Sequence, residues 1–318
     1  MNYIITHTDL DGVGAAVLGK LLWDSDDVTI IYSEAFEVDM HVEDVLKEMT
    51  LRDFLYIVDC APSADMMDRL EEEPFMKVLL DHHVAKFDVS KYPWAYVYPE
   101  SGDSGTSLFY KYLQSPTSGK ITGFDSAALI EPFDVSVTYD FVELVRKYDT
   151  WEWAKTNDFK ARDLNQLFFV MGASDFVEHC VMCLQSGETP LNDFAKQLIY
   201  YKDLEIQRYI KNKLEKVEYM NIDGIKFGVV MAESYKSQLA DAIMNICGVN
   251  GAAIIGSEGV SLRSRGNVDV SAIAQKFGGG GRLNTAGFGI DKEVRRRYMS
   301  RIFGQAHIAQ QTTKMNLV

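Results

Sequence analysis

Four short apolar runs in the first eighty residues, alternating with amphipathic stretches, constrain the fold more than any other feature of this sequence. Tyr3–Thr6, Val28–Tyr32, Phe54–Val58 and Lys77–Leu80 are apolar and often β-branched, the pattern of buried strands. Between them, residues 12–23, 40–49 and 63–72 read as helices. This β-α-β-α order predicts a parallel sheet with helices on both faces. Residues 104–114 and 135–147 also read as helices, as do two segments within 159–185. A charged amphipathic stretch, 190–218, follows the helix-start signal Ser186-Gly187-Glu188-Thr189-Pro190 and reads as a connecting helix. After Asn221 the pattern restarts. Phe227–Met231, Ala252–Ile255 and Val260–Arg263 read as strands, and Gln238–Ile246 and Val270–Lys276 as helices. The expected fold is therefore α/β. A parallel-sheet N-terminal domain (1–189) is joined by a linker helix (190–219) to a smaller α/β C-terminal domain (220–318). The tail after residue 304 is polar and reads as loose.

The 318 residues carry 32 basic and 46 acidic side chains, a net charge of −14. That is the wrong sign for coating long nucleic acid through many phosphate contacts, so no long-duplex binding is expected. The charge is uneven. Residues 220–290 hold six basic residues (Lys226, Lys236, Arg263, Arg265, Lys276, Arg282) against five acidic ones. This near-neutral part is the expected place for contacts to an anionic substrate. No apolar run approaches the roughly 20 residues of a membrane helix, and no basic segment precedes the first apolar stretch. Four unevenly spaced cysteines do not form a disulfide framework, so a reducing cytoplasm is expected. A homodimer is compatible with the chain, which carries no signal for oligomeric state.

The Asp and His residues fall where the strands end. His7, Asp9 and Asp11 follow the first strand, Asp59 follows the third, and Asp81, His82 and His83 follow the fourth. In an open parallel sheet ligands bind beyond the carboxyl ends of the strands, so three strands deliver these groups to one rim. Gly12 reads as a tight turn into the next helix. Clustered carboxylates repel and raise one another's pKa, and a divalent cation relieves that. Carboxylate and imidazole without thiolate suit Mn2+ first, with Mg2+ or Fe2+ as alternatives. More than four such ligands point to two divalent ions about 3.5–4 Å apart, which clamp the attacking and leaving oxygens of a phosphoryl centre. A lone Asp after a strand is usually a helix cap, but six or seven such residues at three strand ends are not explained that way.

These residues resemble the DHH phosphoesterases, a superfamily named for the Asp-His-His run seen here as Asp81-His82-His83. His7-Thr8-Asp9-Leu10-Asp11-Gly12 looks like the family's opening motif, Val58-Asp59 like the second, and Asp149 like the fourth metal-binding position. Ser261-Leu262-Arg263-Ser264-Arg265-Gly266 and Gly278-Gly279-Gly280-Gly281-Arg282 resemble the family's associated C-terminal, substrate-binding domain. The resemblance implies one metal on His7, Asp9 and Asp59, and a second on Asp11, Asp59, His82 and Asp149, with Asp59 bridging. It implies that His83 contacts the scissile phosphate or assists proton transfer, and that Asp81 orients a neighbouring His. Family members usually carry His after the glycine run, where this chain has Arg282. Arginine keeps a phosphate donor and adds bidentate geometry, but it cannot titrate. From the residues themselves, Gly278–Gly281 offers backbone that a phosphate can approach closely, with Leu283–Gly287 as a helix start. Arg263 and Arg265, two apart on a strand, should face one side.

Other features are weaker. His179, Cys180 and Cys183 lack a second pair at zinc spacing and read as helix core. Cys60 adjoins Asp59, and Ser104-Gly105-Thr106-Ser107 reads as a helix cap. Trp151 and Trp153 either stack a base or anchor their loop. The expected reaction is hydrolysis of a phosphate ester by a metal-bound hydroxide. The context Tyr148-Asp149-Thr150-Trp151 looks most like the nanoRNase-type branch, so short oligonucleotides, cut to mononucleotides, are the expected substrates. Alternatives are a cyclic-dinucleotide, nucleoside-bisphosphate or pyrophosphate hydrolase, or a catalytically silent nucleotide-binding protein.

Overall fold

The computed structural model describes residues 1–114 and 135–303, so the polar tail lies outside the described residues. The chain forms two compact units, Met1–Tyr201 and Lys202–Val318. The first alternates β1 (Asn2–Thr6), α1 (Leu10–Leu22), β2 (Val28–Tyr32), α2 (Val38–Glu48), β3 (Phe54–Val58), α3 (Ala64–Glu72), β4 (Met76–Asp81) and β5 (Ala95–Val97). Helices follow: α4 (Gly105–Gln114), α5 (Val135–Asp149), α6 (Glu152–Thr156), α7 (Phe159–Met171), α8 (Ala173–Gln185) and α9 (Asp193–Leu214). The five strands pair in parallel in the order β2-β1-β3-β4-β5.

Both faces of this sheet are covered, which is why the strand sequences are continuously apolar rather than alternating. Side chains still alternate between faces. Ile4, Tyr56 and Val58 pack with α1, α4, α5, α7 and α8, whereas Tyr3, Ile5, Leu55 and Ile57 pack with α2 and α3. α1 is buried almost all round, so its Ala-, Val- and Leu-rich sequence shows little amphipathic pattern. Because β1, β3 and β4 are adjacent and parallel, their carboxyl ends share one edge.

The second unit contains β6 (Glu218–Ile222), β7 (Ile225–Met231), α10 (Lys236–Ile246), β8 (Gly251–Ile255), β9 (Gly259–Ser264), α11 (Val270–Gln275), β10 (Gly280–Arg282), β11 (Thr285–Gly289) and α12 (Lys292–Phe303). Its sheet has the order β10-β11-β9-β8-β7-β6, and β7–β8 is the parallel pair. α10 covers one face with Leu239, Ala240 and Ile243, and α11 the other with Val270, Ile273 and Ala274. The unit boundary falls inside α9. Ala195 and Ile199 belong to the first unit's core, while Tyr209, Ile210 and Leu214 pack on the second unit's core.

Two local expectations are corrected. Leu283–Gly287 does not open a helix: Thr285–Gly289 is β11, paired with β9 and β10. The capping residues at its start misled because pairing on both sides outweighs local propensity. Gly12 lies within α1 rather than at a turn before it, and a Cβ there would overlap the His7 carbonyl oxygen.

Candidate metal centre and its surroundings

The edge formed by β1, β3 and β4 gathers the Asp and His residues of the first unit. Asp9 caps α1, its Oδ1 accepting the amides of Asp11 (3.1 Å) and Gly12 (3.2 Å). It therefore serves as a helix cap while its Oδ2 stands 3.0 Å from His7 Nδ1. Asp11, in the first turn of α1, is buried and accepts the amides of Gly105 (2.6 Å) and Thr106 (2.9 Å) at the start of α4. The Thr106 hydroxyl donates to the Asp11 carbonyl. Two helix N-termini thus converge on one carboxylate, which both the unpaired amides and the macrodipole favour.

Asp59 follows β3 in the left-handed region, with φ 60°. A non-glycine residue there is uncommon and persists where its surroundings impose it. Its amide donates to Leu80 O (2.9 Å) on β4, and its carboxylate turns into the cluster. His82 Nε2 lies 3.1 Å from Asp59 Oδ1, 3.5 Å from Asp149 Oδ2 and 3.7 Å from Asp11 Oδ2. Asp149 is the last residue of α5, where the helix already presents partial negative charge. A cation held there would offset that cost.

Asp81 is buried, and its Oδ1 accepts the amides of His82 (2.8 Å) and His83 (3.1 Å) and faces His83 Nδ1 at 2.9 Å. This positions the half-exposed His83 ring beside the cluster, 3.9 Å from Asp59 Oδ1. Three sets of side chains have ligand atoms within 4.8 Å of one another: His7, Asp9 and Asp59; Asp11, His82 and Asp149; Asp59, Asp81, His82 and His83.

The electrostatics carry the signature of a cation site. Burial, then the neighbouring charges of Asp11, Asp9, Asp81 and Asp149, push the Asp59 carboxyl well above its ordinary range. Burial, then the charges of Asp11 and Asp9, push Asp149 up to about 7, against the opposing effect of His83 and His7. Burial also raises Asp9, but the His7 hydrogen bond and charge outweigh it and hold Asp9 below its ordinary value. Hydrogen bonds donated to Asp9 and Asp81 raise His7 and His83 respectively, against the opposing effect of burial. Among the described residues, every ion pair to these five carboxylates comes from histidine, and none from Lys or Arg. A divalent ion would supply the missing positive charge, and the donor set of imidazole and carboxylate fits one.

Three participants escaped the sequence reading. Glu34, just beyond β2, has its Oε2 3.7 Å from His7 Nε2 and accepts the Thr8 hydroxyl at 2.7 Å. Gly105 and Thr106 were readable as a helix cap, but no local signal showed that their amides hold Asp11. The features set aside are structural. His179, Cys180 and Cys183 are buried in α8, with His179 Nε2 2.8 Å from Pro190 O. Cys60 is buried, and burial followed by the charge of Asp59 pushes its thiol up, away from a reactive thiolate.

In the second unit, Arg263 reaches Ser237 Oγ (3.3 Å), and Arg265 reaches Asn245 and, at 3.9 Å, Asp241. All three partners lie on α10, so the two arginines do lean to one side. Thr285 pairs with Arg282 on β10 and with Arg263 on β9, placing these residues in one row across three strands. Gly280, Gly281 and Arg282 make up the exposed β10, and the half-buried Gly279 leads into it.

The strand-end carboxylates and imidazoles on a doubly covered parallel sheet, followed by a second sheet unit, define an α/β protein with a candidate metal centre, and comparison with known proteins gives its class, the phosphoesterases. The DHH family N-terminal domain matches residues 2–132, and the DHHA1 domain matches residues 225–304. The chain is 33% identical over 318 residues to oligoribonuclease NrnB of Bacillus subtilis (strain 168), covering 95% of this chain and 76% of that protein. It belongs to the DHH family of phosphoesterases, in the nanoRNase-type branch. Two solved structures share its fold. One is the pGpG-specific phosphodiesterase PggH from Vibrio cholerae (TM-score 0.52, 14% identity, 97% of this chain and 99% of that one). The other is exonuclease RecJ bound to manganese (TM-score 0.52, 15% identity, 97% and 90%). Among the described residues, no helix is long and apolar enough to cross a membrane.

Proposed function

We propose that the protein is a two-metal-dependent phosphodiesterase that hydrolyses short oligonucleotides to mononucleotides, with Mn2+ as its preferred ion. The observation that carries this is His82 Nε2 within 3.7 Å of carboxylates from three separate elements, Asp11, Asp59 and Asp149, beside the His7–Asp9–Asp59 set. His7, Asp9 and Asp59 would hold one ion and Asp11, Asp59, His82 and Asp149 the other. The pair would neutralise the phosphate and activate a water for attack. The silent alternative requires lost ligands, and every position expected from the family motifs is filled.

The chain's own groups divide the remaining tasks. Asp59, the candidate bridge, is held by its backbone conformation and by the hydrogen bond that its amide donates to Leu80 O. Asp81 fixes the ring of His83, whose Nε2 is left to meet a phosphate oxygen or pass a proton to the leaving group. In the second unit, Arg263, Arg265 and Arg282 with the amides of Gly279, Gly280 and Gly281 would grip a substrate phosphate. The substrate length is supported by the likeness to NrnB, an oligoribonuclease, and by a net charge of −14, unsuited to a long polyanion.

The test is a time course on 5′-labelled RNAs of two to about twenty nucleotides with Mn2+, beside cyclic dinucleotides, nucleoside 3′,5′-bisphosphate and pyrophosphate; electrostatic cost rises with each added phosphate. Selective loss of the shortest RNAs is expected. Turnover of cyclic dinucleotides or pyrophosphate in preference to them would overturn the substrate reading.

A further inference from the structure

Three large apolar side chains stand in water at the edge of the sheet that carries the candidate metal centre. Phe36 is 83% exposed, Val84 80% and Trp151 66%. Single exposed hydrophobics are ordinary. These three are not scattered. Phe36 lies two residues after Glu34, which touches His7 and Thr8. Val84 follows His83, and Trp151 lies two residues after Asp149. β2 and β4 are parallel members of one sheet, so the turns that follow them open at the same edge.

Trp151 is the best built of the three. Its backbone is left-handed, φ 59° and ψ 16°, a conformation that disfavours a bulky side chain. Its amide donates to Tyr148 O (3.2 Å), ending α5 immediately after Asp149. Arg146 ties the turn down, donating to Gly102 O (3.1 Å) and Glu152 Oε2 (2.9 Å). Behind Trp151 the rings are layered: Trp151 on Trp153 with centroids 6.1 Å apart, and Trp153 on Tyr148 at 6.1 Å and 10°. The inner rings anchor the turn, while the outermost indole remains uncovered. With about 3.8 Å between consecutive Cα atoms, the Trp151 Cα lies within about 8 Å of that of Asp149. A nucleotide spans a comparable distance from phosphate to base.

We propose that Trp151 is the platform on which a nucleobase of the substrate stacks beside the scissile phosphate, making it a specificity-determining residue. The neighbouring rim charges Glu34 and Glu37 repel further phosphates and leave the flat, uncharged base as the complementary group. Every base has a π-face, so such a platform selects for nucleotides without reading sequence. A platform one base deep also suits short substrates, which offer few other handholds. This inference rests on the proposed oligonucleotide activity.

The test compares kcat/KM for a dinucleotide with that for analogues lacking the base on one side or the other, in the Mn2+-loaded protein. In the wild type, removing the stacked base should cost about 5- to 150-fold, the range carried by base-on-aromatic stacking. In Trp151→Ala and Trp151→Leu that ratio should collapse towards one, and Trp151→Phe should restore part of it. Leucine keeps bulk in the turn, so the comparison survives if the alanine variant misfolds. A base-to-abasic ratio unchanged in the leucine and phenylalanine variants would overturn the proposal. Failure of the wild type to cleave the dinucleotide at all would instead overturn the oligonucleotide reading, and the platform with it.

Discussion

Gly105 lies against Asp59 so closely that a Cβ at position 105 would stand 2.9 Å from the Asp59 Cα and overlap its Cβ. The first residue of α4 is therefore in contact with the candidate bridging ligand, and the same residue's amide holds Asp11. Gly105→Ala opposes two effects. Alanine in a helix is worth about 0.5–1 kcal/mol over glycine, whereas forcing a methyl into packed backbone costs about 1–3 kcal/mol. The neighbour here is a strained backbone rather than a flexible side-chain tip, so the second effect should win. Thermal unfolding should show a lower midpoint, and calorimetric titration weaker Mn2+ binding. A raised midpoint with unchanged metal affinity would mean that the contact constrains nothing.

Asp59→Asn should separate folding from metal binding. Asparagine tolerates the left-handed backbone that Asp59 adopts. It also removes a buried carboxyl whose charged form burial and four acidic neighbours oppose. The metal-free variant should therefore unfold no earlier than the metal-free wild type, while its stabilisation by Mn2+ and its phosphodiesterase activity are both lost. Retention of near-normal turnover would remove Asp59 from the centre.

The strands and the Asp and His residues gathered at their ends were legible in the sequence because their signals are local. β1 to β4 are largely apolar, often β-branched runs, and His7, Asp9, Asp59 and Asp81 sit at or just beyond their ends. What was not legible is set by contacts distant in sequence. The support of Asp11 comes from amides 94 and 95 residues away, and no periodicity announces it. The left-handed turn at Asp59 leaves no mark in composition. β5 and β10, three residues each, are too short for an alternation pattern. β11 was misread because Leu283-Asn284-Thr285 carries capping residues, and only pairing with Val260–Arg263 and Gly280–Arg282 makes it a strand.

The support of α4 should be sensitive to acid. Asp103 accepts the Ser107 hydroxyl at 3.0 Å and pairs with the exposed Lys111. Burial pushes its carboxyl up, but the hydrogen bonds from Lys111 and Ser107 outweigh that and hold it below the usual value. A depressed folded pKa adds stability above the unfolded value, and that stability is lost as pH falls through the folded one. Asp103→Asn should therefore lower stability by about 1 kcal/mol at pH 7, and the difference should fade in acid as the wild-type carboxyl takes up its proton too. Denaturant unfolding at several pH values checks this. A constant difference across the range would show that Asp103 acts through shape and not through charge.

Arg282 departs from the histidine usual at its position in the family, and the departure has a testable consequence. It is exposed on β10, in one row with Thr285 and Arg263. A guanidinium keeps its charge at any pH at which the protein is active, while an unperturbed imidazole loses its proton near pH 6.5. If position 282 grips a substrate phosphate, Arg282→Ala should raise KM for dinucleotides about tenfold or more, as loss of a charge-assisted hydrogen bond worth roughly 1.5–3 kcal/mol requires. Hydrolysis of bis-p-nitrophenyl phosphate should suffer less, since that ester offers no second phosphate to grip. Arg282→His should behave like the wild type at pH 6 and drift towards the alanine variant by pH 8, with the change in KM rather than kcat. Equal losses on both substrates, or a fall in kcat with KM unmoved, would place Arg282 with the reacting groups instead of the substrate's far end.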